Sequence, residues 1–322
     1  MARIKKKISW GAICLVSLFL IAAVLLTAAP YLPFSIPDWR DLGRAVGLYS
    51  KAGDSVTFFN VGQGDCTLVQ SGNFAALIDT GAAGVIDLPR KLRHMGISSL
   101  ELVIITHLHD DHMGNLSVLL KQTTVKRVIM GSPISLDDAN QSLYQEALDD
   151  AADRNVPVEG PRLNEPVAVG NYTIEILGPF QSFAEENNRS LAVRVWDAHS
   201  SFLLTGDMQA EAENHLLQFC PERLKADVLK VPHHGSATSS TPAFLKAVSP
   251  AYAVFNVFAG SQSLPNTEVL ERYRSAGIGI YRTDQNGSIT FSYDNQTNRL
   301  TGKAEDGVCS TLSTGLKAKR QF

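Results

Sequence analysis

Short apolar runs broken by Gly, Asn and Asp turns fill the chain between residues 55 and 297. Residues 55–59, 66–70 and 74–78 are rich in β-branched and aromatic side chains and predict strands. Ser71-Gly72-Asn73 joins the last two as a hairpin turn. Residues 100–105 are almost continuously apolar, the pattern of a buried strand. Further strands are predicted at 125–130, at 167–169 and 172–177 around Gly170-Asn171, at 190–196 and 201–204, at 227–231, at 251–257, and at 279–282 and 288–293. Helical patterns interleave at 88–95, with Asp87 as cap and Pro89 in the first turn, and at 116–120, 143–152, 242–248 and 267–276. Alternating strands and helices with several hairpins predict an α/β domain over 55–297, built as two sheets covered by helices.

The two ends read differently. Arg3, Lys5, Lys6 and Lys7 form a basic start, and no charged residue occurs from 8 to 37. The apolar core of that stretch, residues 12–26, suits a membrane-crossing helix, which needs about 20 apolar residues. Basic residues ahead of it place the N-terminus in the cytoplasm and the remainder outside. Residues 1–30 therefore predict a single-pass anchor in the cell membrane. The rival is a cleaved signal peptide and a secreted product, with Thr27-Ala28-Ala29 as its best site, although Pro30 behind it disfavours cleavage. Residues 31–54, with Pro33, Pro37, Gly43, Gly47 and Gly53, read as a linker. Residues 298–322 read as a polar, frayed tail.

Composition narrows the chemistry. The net charge of −3 offers no strongly basic field for nucleic acid. None of the four cysteines forms a CxxC pair, which argues against a zinc–thiolate site. The metal-ligating residues gather elsewhere, in Thr106-His107-Leu108-His109-Asp110-Asp111-His112-Met113-Gly114, directly after the apolar run 100–105. Imidazole and carboxylate together suit zinc, iron or manganese. His107 and His109, two apart on extended chain, point the same way. Asp111 and His112, adjacent to each other, suit a second metal. Three more segments end in chemistry: 74–78 in Asp79-Thr80-Gly81, 201–204 in Thr205-Gly206-Asp207, and 227–231 in Pro232-His233-His234-Gly235-Ser236. Asn60-Val61-Gly62-Gln63-Gly64-Asp65 is a tight turn whose glycines let backbone come close to a site. Asp79 is expected to hold metal ligands in place. One of His233 and His234 should complete a metal site and the other contact substrate or donate a proton.

His107-Leu108-His109-Asp110-Asp111-His112 resembles the HxHxDH signature of the metallo-β-lactamase fold superfamily. With the Gly62–Asp65 turn, Ile78-Asp79-Thr80-Gly81, Leu204-Thr205-Gly206-Asp207, Leu229 to Ser236, Arg282-Thr283-Asp284 and Asn286-Gly287, the likeness is to the extracytoplasmic hydrolase domain of ComEC-type competence proteins. The resemblance implies the αβ/βα sandwich and two divalent cations, with zinc the first expectation and manganese its rival. It implies that His107 and His109 hold metal one, that Asp111 and His112 hold metal two, that Asp207 bridges them, and that His233 or His234 completes the second site. Gln63, Asp65 and Asp79 would stand behind the ligands, and Asp111, His233 or His234 would handle protons. Two departures stand out. No histidine occurs between His112 and His199, so the third histidine of metal one is missing, with Asn188 or Ser190 the candidates for its place. Leu264-Pro265 stands where related chains often carry His-Pro. The first metal is then expected to bind more weakly or only with substrate. The implied function is hydrolysis of an extracytoplasmic phosphodiester, DNA among the candidates, by hydroxide generated at the metals. The alternatives are another surface phosphoester, a lactone or carboxyl ester, and a metal-binding surface protein with a decayed site. Protein partners are not indicated.

Overall fold

The computed structural model describes residues 10–28 and 53–305. The basic start, most of the linker and the end of the tail lie outside these residues. An N-terminal helix spans Trp10–Ala28, and its Leu15, Val16, Leu18, Phe19 and Leu20 are exposed. Among the described residues, no helix is long and apolar enough to cross a membrane.

The first sheet holds β1 (Ser55–Phe58), β2 (Thr67–Ser71), β3 (Phe74–Ile78), β5 (Leu102–Ile104), β7 (Val128–Ile129), β8 (Val158–Glu159), β16 (Ile289–Asp294) and β17 (Arg299–Ala304). Their order is β17-β16-β1-β2-β3-β5-β7-β8. The second sheet holds β9 (Val167–Val169), β10 (Tyr172–Gly178), β11 (Ala192–Trp196), β12 (Ser201–Leu204), β13 (Val228–Lys230), β14 (Tyr252–Phe255) and β15 (Gly279–Arg282) in the order β15-β14-β13-β12-β11-β10-β9. A small pair, β4 (Ser99–Leu100) with β6 (Thr124–Val125), lies beside them.

Strand periodicity explains the layering. Alternate residues face opposite sides of a sheet. Val56, Phe58, Ile78 and Ile104 of the first sheet meet Ile174, Val193, Val195, Phe202 and Val228 of the second in one apolar core. The intervening residues Leu68, Leu77 and Val103 face the helices Leu88–His94 and Leu116–Gln122. Leu203, Leu229 and Ala253 face Ala210–Phe219 and Pro242–Val248. The result is the expected helix–sheet–sheet–helix sandwich. β3, β5, β7 and β8 run parallel, as do β12, β13, β14 and β15. Parallel neighbours bring their C-terminal ends to one edge, where open α/β sheets place their ligands.

Three expectations need correction. The polar tail expected from 298 begins with β17, which pairs antiparallel with β16 from Ile289↔Ala304 to Asp294↔Arg299. Its exposed and half-buried residues alternate, as on an edge strand with one face on the sheet. The helix expected from 143 starts at Asp138, because Asp137 caps it by accepting from Asn140 N at 2.8 Å. The run 100–105 divides at Glu101, whose N–H turns to Ala75 O at 2.8 Å.

Candidate metal centre

Four strand ends build the site. β5 ends before Thr106 and His107, and the chain then enters the short helix Asp110–Met113. β3 delivers Asp79, β12 delivers Asp207, and β13 delivers His233 and His234. One ligand atom from each of Asp111, His112, Asp207 and His234 lies within 4.8 Å of the other three. His112 Nε2 is 3.3 Å from Asp207 Oδ1 and 3.7 Å from Asp111 Oδ1. His234 Nε2 is 3.2 Å from Asp207 Oδ2 and 3.3 Å from Asp111 Oδ2. His107 and His109 adjoin this cluster. Their rings approach at 3.1 Å between His107 Nε2 and His109 Nδ1, and the His107 ring lies 4.1 Å from that of His112, centre to centre.

The structure separates the two histidines that sequence leaves equivalent. Both have left-handed backbone, φ 49° for His233 and 53° for His234, followed by Gly235 at 84°. Such a run is unfavourable for side chains bearing a Cβ and persists where surrounding contacts hold it. Here His233 N donates to Gly206 O at 3.1 Å, and Asn266 N donates to Gly235 O at 2.9 Å. The turn sends His234 inward. It is buried, and its Nδ1 lies 2.7 Å from Asn256 O. His233 stays at the rim, with Nδ1 3.1 Å from Thr238 Oγ1 and Nε2 3.9 Å from Asp207 Oδ2.

A layer of support surrounds the cluster. Asp79 is buried, has φ 60°, accepts from Thr106 N at 2.7 Å and Thr106 Oγ1 at 2.8 Å, and sits 2.9 Å from His112 Nδ1. That contact turns His112 Nε2 toward Asp207, the tautomer control expected for a metal-binding imidazole. Asp65 N donates to Asp111 O at 3.1 Å, and a Cβ on Gly64 would lie 2.1 Å from the same oxygen, so only glycine lets this loop approach. Gln63 is half-buried in that loop. Asn188 and Ser190 do not face the cluster as ligands. Asn188 Oδ1 accepts from Gln209 N at 2.9 Å, with its amide toward Glu211, while Ser190 Oγ accepts from Asp207 N at 2.9 Å. The place of the missing histidine is therefore not filled by either.

Lys230 escaped the sequence reading. It is buried, its Nζ donates to Gly206 O at 2.9 Å, and it pairs closely with Asp65 and at 3.5 Å with Asp207. The available signal was a lysine inside the buried run Val228-Leu229-Lys230-Val231, where an unpaired charge is not tolerated.

Burial and charge pull the titrations apart. Burial works against the charged form of His112, but Asp207, Asp111 and Asp79 hold its pKa well above the ordinary value. Burial likewise opposes charge on His234, yet Asp207 chiefly raises it to about 9. Asp207 sits well below the usual carboxylate range despite burial, because His234, His112 and Lys230 face it. His107, buried and beside His112, is held well below the ordinary histidine value.

These residues fit divalent cations. His112 Nε2 and His234 Nε2 are buried, have no hydrogen-bond partner, and point among carboxylate oxygens. Buried polar atoms without partners are rare and require an explanation, and a cation among two imidazoles and two carboxylates supplies one.

The comparisons agree with the geometry. Residues 59–255 match the model of the Metallo-beta-lactamase superfamily. The chain is 30% identical over 266 residues to ComE operon protein 3 of Bacillus subtilis (strain 168), covering 75% of this chain and 33% of that protein. It is 30% identical to Competence protein ComA of Neisseria gonorrhoeae over 241 residues, 74% of this chain and 32% of that one. It thus spans about a third of these relatives' length. Among solved structures it is similar to the metallo-beta-lactamase fold protein YhfI from Bacillus subtilis, with 16% identity, TM-score 0.47, and coverage of 71% of this chain and 96% of that one. The chain belongs to the metallo-beta-lactamase superfamily, with ComEC-type competence proteins among its relatives.

Proposed function

We propose that this protein is a metal-dependent phosphodiesterase, anchored in the cell membrane through its charge-free stretch 8–37, part of which lies outside the described residues, and acting outside the cytoplasm. The observation that carries the hydrolytic reading is the convergence of Asp111, His112, Asp207 and His234 at one sheet edge. In this reading Asp111, His112, Asp207 and His234 would hold one cation, and His107 and His109, beside Asp207, would offer two imidazoles to a second. Zinc fits the imidazoles, and manganese fits the carboxylate share. Divalent cations here supply Lewis-acid polarisation of a phosphoryl oxygen and lower the pKa of a nearby water toward neutrality. Asp79 keeps His112 aimed, and Asn256 O does the same for His234. His233 stands at the rim with its pKa below the ordinary value through burial, so its ring is neutral at physiological pH. With Nδ1 engaged by Thr238, its Nε2 would accept the proton given up by the attacking water and pass it to the departing oxygen. Nucleic acid is the favoured phosphodiester because one relative, Competence protein ComA of Neisseria gonorrhoeae, carries competence in its name. The anchor rests on the charge-free stretch 8–37 behind a basic start.

The test is hydrolysis of bis-p-nitrophenyl phosphate by the full chain with zinc or manganese added, beside Asp207→Ala. Metal-dependent turnover that the variant loses supports the reading. A folded protein that binds metal and leaves the ester intact would sink the phosphodiesterase assignment. Labelling of residues beyond 55 on intact cells with a membrane-impermeant reagent tests the placement outside the cytoplasm.

A further inference from the structure

We propose that Lys230 is a positioning residue for Asp207, held in that role by Asp65. The inference rests on the metal-centre reading above and goes beyond its ligands. Lysine is almost never fully buried without partners, and Lys230, 1% exposed, stands on β13 between Leu229 and Val231. Its ammonium has three donors and no acceptor. Three oxygens surround it: Gly206 O at 2.9 Å, Asp65 Oδ2 in close contact, and Asp207 Oδ1 at 3.5 Å. Two of these belong to Asp207 or the residue before it, and Ser190 Oγ holds the Asp207 N–H from the other side. Asp207 is thereby fixed through its side chain and through both polar atoms of the Gly206–Asp207 peptide. Its Oδ2 is left toward His234 and His233, and its Oδ1 toward His112 and Lys230.

Asp65 makes the arrangement asymmetric. Its contact with the ammonium is much shorter than that of Asp207, so it draws the charge away from the carboxylate that faces the cluster. Asp65 also rides on the loop whose N–H binds Asp111 O. The Asp65–Lys230 pair therefore ties the Asp111 side of the centre, on the first sheet, to the Asp207 side, on the second.

A bystander charge and a positioning residue make opposite predictions. An ammonium near a cation site repels cations, so its removal tightens metal binding if charge alone matters. If Lys230 positions Asp207, its removal weakens binding, by about 10–100-fold for an outer partner of this kind. The experiment is calorimetric titration of metal-free full-chain protein with Mn²⁺ and with Zn²⁺, alongside a thermal melt. Lys230→Met is expected to raise the dissociation constant at least about tenfold. Asp65→Asn leaves Lys230 to fall back on Asp207, and is expected to weaken binding in the same direction. Unchanged or tighter binding in a folded Lys230→Met protein overturns the proposal, even if its melting temperature falls. Should Lys230→Met fail to fold, unchanged affinity in Asp65→Asn overturns it. Wild-type protein that binds neither metal would overturn both the metal centre and this role. Wild-type protein that binds metal without turning over the ester would count against the phosphodiesterase reading alone.

Discussion

His234 Nδ1 lies 2.7 Å from the carbonyl oxygen of Asn256, and this contact, with the left-handed turn at His233 and His234, brings one of two adjacent histidines into the candidate metal cluster. The bond commits Nε2 to Asp111 and Asp207, while the neighbouring His233 leans on Thr238 at the rim. The two alanine variants should therefore differ in kind. His234→Ala is expected to lower metal affinity by more than the roughly 10–100-fold that loss of an outer partner costs. His233→Ala should keep its metal and lose turnover by about 10²–10⁴-fold, the usual contribution of a proton-transfer group. Metal content after gel filtration, read with turnover, distinguishes them; equal metal loss in both would contradict the geometry.

Asp79 acts on the site through His112 and Thr106. Asn is one of the few residues that accept its left-handed backbone, so Asp79→Asn should fold. It keeps an acceptor for His112 but gives up the charge. Metal affinity is expected to fall by about 10–100-fold, and a binding isotherm matching wild type would remove Asp79 from the mechanism.

Asn188 and Ser190 should part company. Asn188 faces Gln209 and Glu211, so Asn188→Ala is expected to leave metal stoichiometry and affinity unaltered. Ser190 carries the Asp207 N–H, so Ser190→Ala should weaken metal binding several-fold through a displaced Asp207. A drop in stoichiometry with Asn188→Ala would show that it does stand in for the missing histidine.

Acid stability should report a network outside the candidate metal cluster. Ser117 Oγ lies 2.6 Å from Asp150 and 2.9 Å from Glu146, with Lys121 joining both carboxylates at 3.0 Å. Burial is the largest single influence on Asp150 and opposes its charge, but Ser117 and Lys121 together hold its pKa below the ordinary value; Lys121 and then Ser117 do the same for Glu146. Folded-state pKa values below the unfolded ones mean that this stabilisation is complete above about pH 4–5. It is lost as pH falls through the folded values. Urea midpoints should decline over that range in wild type, and less steeply in Asp150→Asn. Identical slopes would rule the network out as a source of acid sensitivity.

Much of this site is visible in the residues because its parts sit at strand ends, where an apolar run stops and a polar motif begins. The run 100–105 before His107, the run 74–78 before Asp79, and 201–204 before Asp207 all show that step. What stays hidden depends on dihedrals and distant partners. Nothing in Pro232-His233-His234-Gly235 discloses two successive left-handed histidines, or that Asn256 awaits one of them. Lys230 reads as an intruder in a buried strand until Asp65, far away in sequence, is placed beside it. β17 goes unread because Arg299, Thr301 and Lys303 face solvent on an edge strand, which leaves too weak an apolar pattern.

The pairing of β1 with β16, Val56 against Phe291, has a consequence for the order of assembly. The strand that opens the domain sits between β2 and a strand made some 230 residues later. A nascent chain exposes the His107–His112 motif long before it contains Asp207, His234, Asn256 or the closing strand. A cation met at that stage finds only part of its ligands, and the first sheet still has an open edge at β1. Competence to hold metal thus arrives only once β16 has been made, and truncations that stop before β16 should yield a chain that displays the full motif yet cannot build the centre.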